Sequence, residues 1–179
     1  MIYPILGYSN SILRKKSYNI KKNTNLDAIV NNMFKTMNNA NGIGIAAPQI
    51  GKNIKLFIIN INQYYNNHFY NYKKIFINPI IIKKYGKIIN QKEGCLSIPN
   101  VLINISRKEK IKIRYFNEKW DKKEKKFNGI ISRVIQHEYD HLNGVLHIDY
   151  IKNEKKKIIK NKLLKIKKKI IKTNYSMIF

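Results

Sequence analysis

A chain of 179 residues, 44% of them hydrophobic, is long enough to bury one respectable core and too short for two comfortable domains. The single cysteine, Cys95, excludes an intramolecular disulfide and makes a reducing compartment the natural setting; no run of about 18 apolar residues could span a membrane, and the opening MIYPILGYSN lacks the basic and apolar regions of a signal peptide. The net charge of +26 would ordinarily point to a polyanionic partner, but Asn, Lys, Ile and Tyr crowd every region, as AT-rich codon usage produces, and Arg, the fork that reads phosphate or guanine, occurs only as Arg14, Arg107, Arg114 and Arg133.

Leu26, Ile29, Val30, Met33, Phe34 and Met37 recur at helical spacing and predict a first amphipathic helix over residues 25–39, with Thr24 and Asp27 as a capping box. NANGIGIAAPQIG follows as a loop whose Gly42, Gly44, Pro48 and Gly51 let other groups approach closely. IKLFIINI, residues 54–61, reads as a strand, residues 63–72 as a loop, and KIFINPIII, residues 74–82, as an edge strand or a bulge because of Pro79. KEGCLSIPN, residues 92–100, has the look of a loop. KIKIRYF, residues 110–116, alternates as a half-buried strand does, and a polar turn over 117–123 leads into another.

A second helix starts after Asn128 and Gly129, carries apolar Ile131, Val134, Ile135 and Leu142, and stops at Asn143 and Gly144. A third, lysine-rich helix is expected over residues 153–172, with Ile159, Leu163, Ile166 and Ile170 as its apolar stripe. Strands without regular alternation with helices predict an α+β fold. Its strands are expected to pack around the second helix as a central element, with a helix at the C-terminal end. The expected division is a catalytic domain over residues 1–151 and a lysine-rich helical tail over residues 152–179.

The second helix contains QHEYDHLNG, residues 136–144. Residues four apart share a helix face, so His137 and His141 can aim their imidazoles at one metal ion, and Glu138 can reach a water held there. The bland alternative is an ordinary polar helix. A catalytic metal site needs a third protein ligand and an open position. Cys95 is the obvious candidate, although a lone cysteine is more often a small buried hydrophobe.

GIGIAAPQIG, EGCLSIP and QHEYDHLNG, in that order, resemble the three signature motifs of the peptide deformylase family, and family-like sequence runs from about Ile2 to Ile151, including INP before the second motif and SRVIQHE into the third. The resemblance implies metal-dependent removal of the N-formyl group from the formyl-methionine of newly synthesised polypeptides, with release of formate. It implies Cys95, His137 and His141 as ligands of one divalent ion, Fe(II) ahead of Zn(II), and Glu138 as the base. Gln49, through its side-chain amide, and Leu96, through its backbone N–H, become the donors to the formyl oxygen. The family binds its peptide as an extended segment, so Ile43 and Gly44 are expected to pair with it, and Ile43, Glu93, Ile130, Val134 and His137 to surround the methionine. Ile130 and Val134 could equally be core positions, and Glu93 an ion-pair partner of Arg107.

Formyl-methionyl nascent peptides are then the partners, with ribosome contact through the basic C-terminal helix, no membrane partner, and a bacterial cytoplasm or an organelle as the location. Two departures stand out: Gln91 where relatives have an apolar residue near the mouth of the methionine pocket, and NEKWDKKEKKF without the family's frequent Asp-Gly pair. His68 and His147 lack a motif and are expected to be structural or surface residues. The competing functions are a zinc peptidase with a different third ligand and a noncatalytic protein that binds ribosomal RNA.

Overall fold

In a computed structural model of the chain, residues 1–65, 68–151 and 153–179 are described, with the side chains of 62–71 and 152–156 outside the description. The described residues form β1 (Ile5–Leu6), α1 (Asp27–Asn39), β2 (Gly44–Ala46), β3 (Leu56–Tyr65), β4 (His68–Cys95), β5 (Ile98–Phe116), β6 (Lys122–Phe127), α2 (Gly129–Leu142), α3 (Asn153–Lys167) and β7 (Met177–Ile178). The fold is α+β: β2 to β6 make a five-stranded antiparallel sheet in sequence order, and β1 and β7 pair in parallel as a separate two-stranded sheet.

Alternation explains how β5 serves two purposes. Val101, Ile103, Ile105, Arg107, Ile111, Ile113 and Tyr115 are all buried, so one face of the strand points inward along most of its length, in two buried stretches separated by half-buried Glu109, and the one buried charge on it is Arg107. The core forms three clusters. One gathers Met33, Phe34 and Met37 of α1 with Ile45, Leu56, Ile58 and Ile77; a second places Val134, Ile135 and Leu142 of α2 on Phe57, Phe76, Ile111 and Ile113; a third joins Leu13, Ile98, Ile103 and Ile105 to Ile166 of α3. Each fully buried side chain of this kind contributes roughly 1.5–3 kcal/mol of transfer free energy.

Several expectations need correction. Residues 63–72 were expected as a loop, yet the backbone pairs β3 with β4 up to Tyr65 opposite His68; residues 66 and 67 lie outside the described residues. β4 is an interior strand, bonded to β3 and β5, so Pro79 marks not an edge but a bulge, the other of its two expected readings. It sits in a register shift between Ile77 and Ile80, where a ladder hydrogen bond is dispensable. Beside it Asn78 adopts φ 47°, and its side chain accepts from the Ile20 N–H and donates to the Ile20 carbonyl, both at 2.8 Å. Residues 92–100 are not a loop but the end of β4, a two-residue turn and the start of β5.

At α1 the capping box does not form: Thr24 bonds the Lys21 carbonyl through its hydroxyl, and the Asn25 side chain accepts from the Asp27 N–H. α3 is shorter than predicted. It stops at Lys167, Lys169 takes φ 61°, and the chain turns back; Ile166 is fully buried and Ile159 and Leu163 pack beside it, whereas Ile170 falls past the helix and is 68% exposed. No helix among the described residues is long and apolar enough to cross a membrane.

Candidate metal centre and active site

α2 packs against β2, β3 and β5, with its apolar residues in the core and His137, Glu138 and His141 turned toward the end of β4. The last pairing of the β4–β5 ladder, Cys95 opposite Ile98, leaves Leu96 and Ser97 as the turn and fixes Cys95 against the helix. One ligand atom each from Cys95, His137 and His141 lie within 4.8 Å of one another, and Cys95 Sγ is 3.3 Å from His141 Nε2. A sulfur about 2.3 Å and a nitrogen about 2.0 Å from a tetrahedral ion would sit roughly 3.5 Å apart, so this spacing fits a divalent cation with little movement.

Two further observations fit the same ion. Glu138 Oε2 is buried without a hydrogen-bond partner among the described residues, as befits a carboxylate meant for a water or a substrate. Burial alone would raise the Cys95 thiol, but the His141 charge and hydrogen bonds from His137 and His141 hold it well below its ordinary range, which favours the thiolate. Burial works against a charged His137, and its contacts with Cys95 and Glu93 outweigh this and raise it well above the usual imidazole range. A thiol held low in this way offers the anionic sulfur that a divalent cation prefers.

The orientation of His137 is fixed from behind. Its Nδ1 lies 3.1 Å from Glu93 Oε2, which leaves Nε2 for the metal. Glu93 in turn receives Arg107 Nε at 2.7 Å, Arg107 Nη2 at 2.9 Å and Arg133 Nη1 at 2.5 Å. Burial raises the Glu93 carboxyl, yet hydrogen bonds from His137 and Arg107 and the Arg107 charge bring it down to about 2. Arg107 also donates to Asp140 at 2.8 Å, and the Tyr150 hydroxyl donates to the same carboxylate oxygen. Every acid in this buried group is matched to a donor.

The site opens into a cavity of about 450 Å³, lined by Ile43, Gly44, Gln49, Glu93, Cys95 and Leu96 from the sheet side and by Ile130, Val134, His137 and Glu138 from α2. Gln49 Oε1 accepts from the Ala46 N–H at 2.8 Å, which aims Nε2 at Ser97 Oγ, 3.2 Å away, and Cys95 Sγ, 3.7 Å away. His141, buried against Cys95 Sγ, is not itself in the lining, but the other site residues expected from the sequence border one space. Gln91 does not: it is exposed and paired with Ile105 outside the cavity lining. His147 is not at the surface; it is buried, with Nε2 3.3 Å from the Val101 carbonyl, and the His68 side chain lies outside those described.

A Cβ on Gly44 would come 2.5 Å from Glu138 Oε1 and 2.9 Å from Val134 Cγ1. Gly44→Ala is therefore expected to push the carboxylate aside and lower kcat by about tenfold to a hundredfold with the metal retained, since small misplacements at a reacting centre cost that much. Steady-state kinetics with metal analysis checks this, and unchanged kcat would contradict the packing.

Sequence reading missed three contributors. Arg133 bonds Glu93 and the carbonyls of Ile89 and Ile105; an arginine in an otherwise apolar helix stretch was its available signal. Ser97, which lies within EGCLSIP, meets Gln49, and Lys172, Thr173, Asn174 and Tyr175 line the cavity without any sequence signal.

A thiolate and two imidazoles converging beside a buried, unpaired carboxylate on an α+β scaffold define a metal-dependent hydrolase. The family described as polypeptide deformylase matches residues 2–157. The peptide deformylase of Karelsulcia muelleri is 54% identical over 152 residues, 84% of this chain and 79% of that protein, and that of Cytophaga hutchinsonii is 40% identical over 181 residues, 100% and 98% of the two. Among solved structures, Arabidopsis thaliana peptide deformylase 1B with an inhibitor superimposes with a TM-score of 0.83 at 32% identity, covering 93% of this chain and 91% of that one. The Acinetobacter baumannii enzyme with Met-Ala-Ser bound gives 0.78 at 29% identity, covering 84% and 99%. The chain belongs to the polypeptide deformylase family.

Proposed function

We propose that this chain carries out its family's reaction at the cavity between α2 and the β4–β5 turn, with Cys95, His137 and His141 holding one divalent ion and α2 as the element around which the strands are arranged. The reaction of the family is hydrolysis of the N-formyl group of newly synthesised polypeptides, with release of formate. The observation that carries the site assignment is the convergence of the three donor atoms within 4.8 Å.

When bound, the cation supplies Lewis acidity and acidifies water. Glu138, one residue beyond the first histidine and unpaired at Oε2, takes a proton from the attacking water and passes it to the departing amine. Gln49 Nε2 and the Leu96 N–H donate to the formyl oxygen as negative charge develops there, and each such donor is worth on the order of a hundredfold in rate. β2 supports peptide pairing: it is the edge strand of its sheet, bonded to β3 on one side only, so Ile43 and Gly44 can add an extended peptide by β-augmentation. Ile43, Ile130, Val134 and the stem of Glu93 then enclose the methionine. The Met-Ala-Ser in the Acinetobacter relative has the chemistry of a deformylated N-terminus.

Formate release from formyl-Met-Ala-Ser, together with X-ray absorption spectra of the loaded protein, tests this reading. Turnover with one sulfur and two nitrogen protein ligands supports it. Metal held without sulfur would favour the peptidase reading, and no turnover the RNA-binding one.

Fe(II) is the proposed ion, since a thiolate with two imidazoles suits either iron or zinc and the family resemblance favours iron. The iron form is expected to lose activity in air, with Cys95 a target of oxidation. Equal, oxygen-indifferent activity with zinc and iron would refute the choice.

The place of work is proposed to be a bacterial cytoplasm or an organelle, where formylated chains emerge from ribosomes. Exposed Lys157, Lys160, Lys162, Lys165 and Lys167 give α3 a cationic outer face suited to ribosomal RNA phosphates. Changing Lys160, Lys162 and Lys167 to Gln keeps helix propensity and leaves Ile159, Leu163 and Ile166 in place. Weaker ribosome cosedimentation at low salt, with unchanged turnover of a short peptide, is the expected result; undiminished binding would show the charge to be composition alone.

A further inference from the structure

The segment after α3 turns back along the molecule and reaches the active site. Lys172, Thr173, Asn174 and Tyr175 line the same cavity as Cys95, Gln49 and Glu138. The segment is anchored beyond that point: Ile5 N–H donates to the Ser176 carbonyl at 2.9 Å, Gly7 N–H donates to the Ile178 carbonyl at 2.7 Å, and β7 pairs with β1. The Phe179 ring rests on Gly7 so closely that it leaves no room for a Cβ there.

From this anchored position the Tyr175 hydroxyl donates to the Leu96 carbonyl at 2.7 Å, while the Tyr8 N–H donates to the Ser97 carbonyl at 3.0 Å. The two consecutive carbonyls of the β4–β5 turn are therefore held from outside, one by each strand-forming terminal region. That turn carries Cys95 and the N–H assigned to the formyl oxygen. Thr173 stiffens the approach, its hydroxyl donating to the Tyr175 carbonyl at 2.6 Å.

The charges around the cavity are also uneven. Of the lining acids, Glu93 is matched to Arg107 and Arg133 and Glu138 lies buried, whereas Lys92 and Lys172 are exposed at the rim. The part of a peptide that follows its methionine therefore meets a cationic border.

We propose that residues 172–175 are a working wall of the substrate cleft, in which Tyr175 is a positioning residue for the Leu96 turn and Lys172 favours anionic groups downstream of the methionine. This rests on the site assignment above and adds to it. The hydroxyl acts through the turn and not on substrate, so its loss affects the chemical step more than binding. The wall contacts the peptide itself, so a charge change there alters selectivity.

The test uses the full, metal-loaded chain. Tyr175→Phe is expected to lower kcat about tenfold with KM within about twofold, because it loosens one donor without removing it. Metal content should stay stoichiometric. Wild-type kcat in this variant, with or without a lowered Tm, would make the hydroxyl merely structural and overturn its positioning role. With formyl-Met-Ala-Glu and formyl-Met-Ala-Lys as competing substrates, the wild type is expected to prefer the acidic peptide severalfold and Lys172→Glu to reverse the preference, while Lys35→Glu on the exposed side of α1 leaves it unchanged. An unaltered preference in Lys172→Glu would overturn the wall. Glu138→Gln assayed alongside separates the two levels: full activity there refutes the site assignment, whereas a dead Glu138→Gln with a normal Tyr175→Phe refutes only the positioning.

Discussion

Glu138→Gln is expected to lower turnover of formyl-Met peptides by about 10²- to 10⁴-fold while the cation stays bound, since general acid–base catalysis is worth that much. The residue lies beside the proposed ligands and is not counted among the three converging donors, so its loss leaves that proposed set intact. Burial raises its carboxyl to about 7 against the opposing pull of His137 and His141. The base form is the ionised one, so turnover rises with pH along an acid limb. A bound cation favours the carboxylate and places that limb below about 7, and the Gln variant lacks it altogether.

The sign of the stability effect is opposite. A carboxyl whose folded value lies above the ordinary 4.5 stabilises the fold below that ordinary value and loses the contribution as pH rises through about 7. The uncharged Gln escapes the desolvation of a buried carboxylate and is expected to melt no lower than wild type at pH 8. A protein as stable as wild type, fully metallated and nearly inactive, identifies a base. Normal turnover in the metallated variant would remove Glu138 from the mechanism.

Cys95→Ala is expected to abolish both metal binding and activity. The two imidazoles that remain sit on one helix and supply two donors, one short of the three protein ligands that a catalytic site uses. The thiolate is also the anionic member of the trio, and the His141 charge and the hydrogen bonds around it favour that anion. The substitution removes little volume at the end of β4, so the fold should persist, as circular dichroism would show. Stoichiometric metal in Cys95→Ala would mean another third ligand, and the peptidase reading would return.

The helical motifs were legible because period and chemistry agreed. In α2, Ile131, Val134, Ile135 and Leu142 gave the helix and His137 with His141 gave its functional face; Asn143 and Gly144 marked its stop, and Gly144 takes φ 73°. The long hairpins were less legible. β4 runs from His68 to Cys95 through four register shifts, and each shift resets the alternation by which a strand is recognised. Cys95 consequently looked as though it lay in a loop. Arg107 continues the inward positions of the alternating run from Val101 to Ile105, so its burial could have been read from parity; its sharing of Glu93 with Arg133 could not, since that depends on α2 crossing β5. The Tyr175 contact spans 79 residues and joins elements with no shared pattern.

The buried acids and arginines of this site bear on which folds the chain can avoid. If β4 slipped by one residue against β5, every side chain on it would change faces, and Glu93 would leave Arg107, Arg133 and His137 together. Arg133 would then be buried without a counter-ion and Arg107 left with Asp140 alone, and breaking a buried pair costs about 3–5 kcal/mol. Hydrophobic residues alone are poor judges of such a slip, because the isoleucines along these strands are nearly interchangeable. The ionic cluster thus acts as a proofreader of strand alignment, rejecting misregistered hairpins before any metal arrives, and the chain reaches its ligands already in their places.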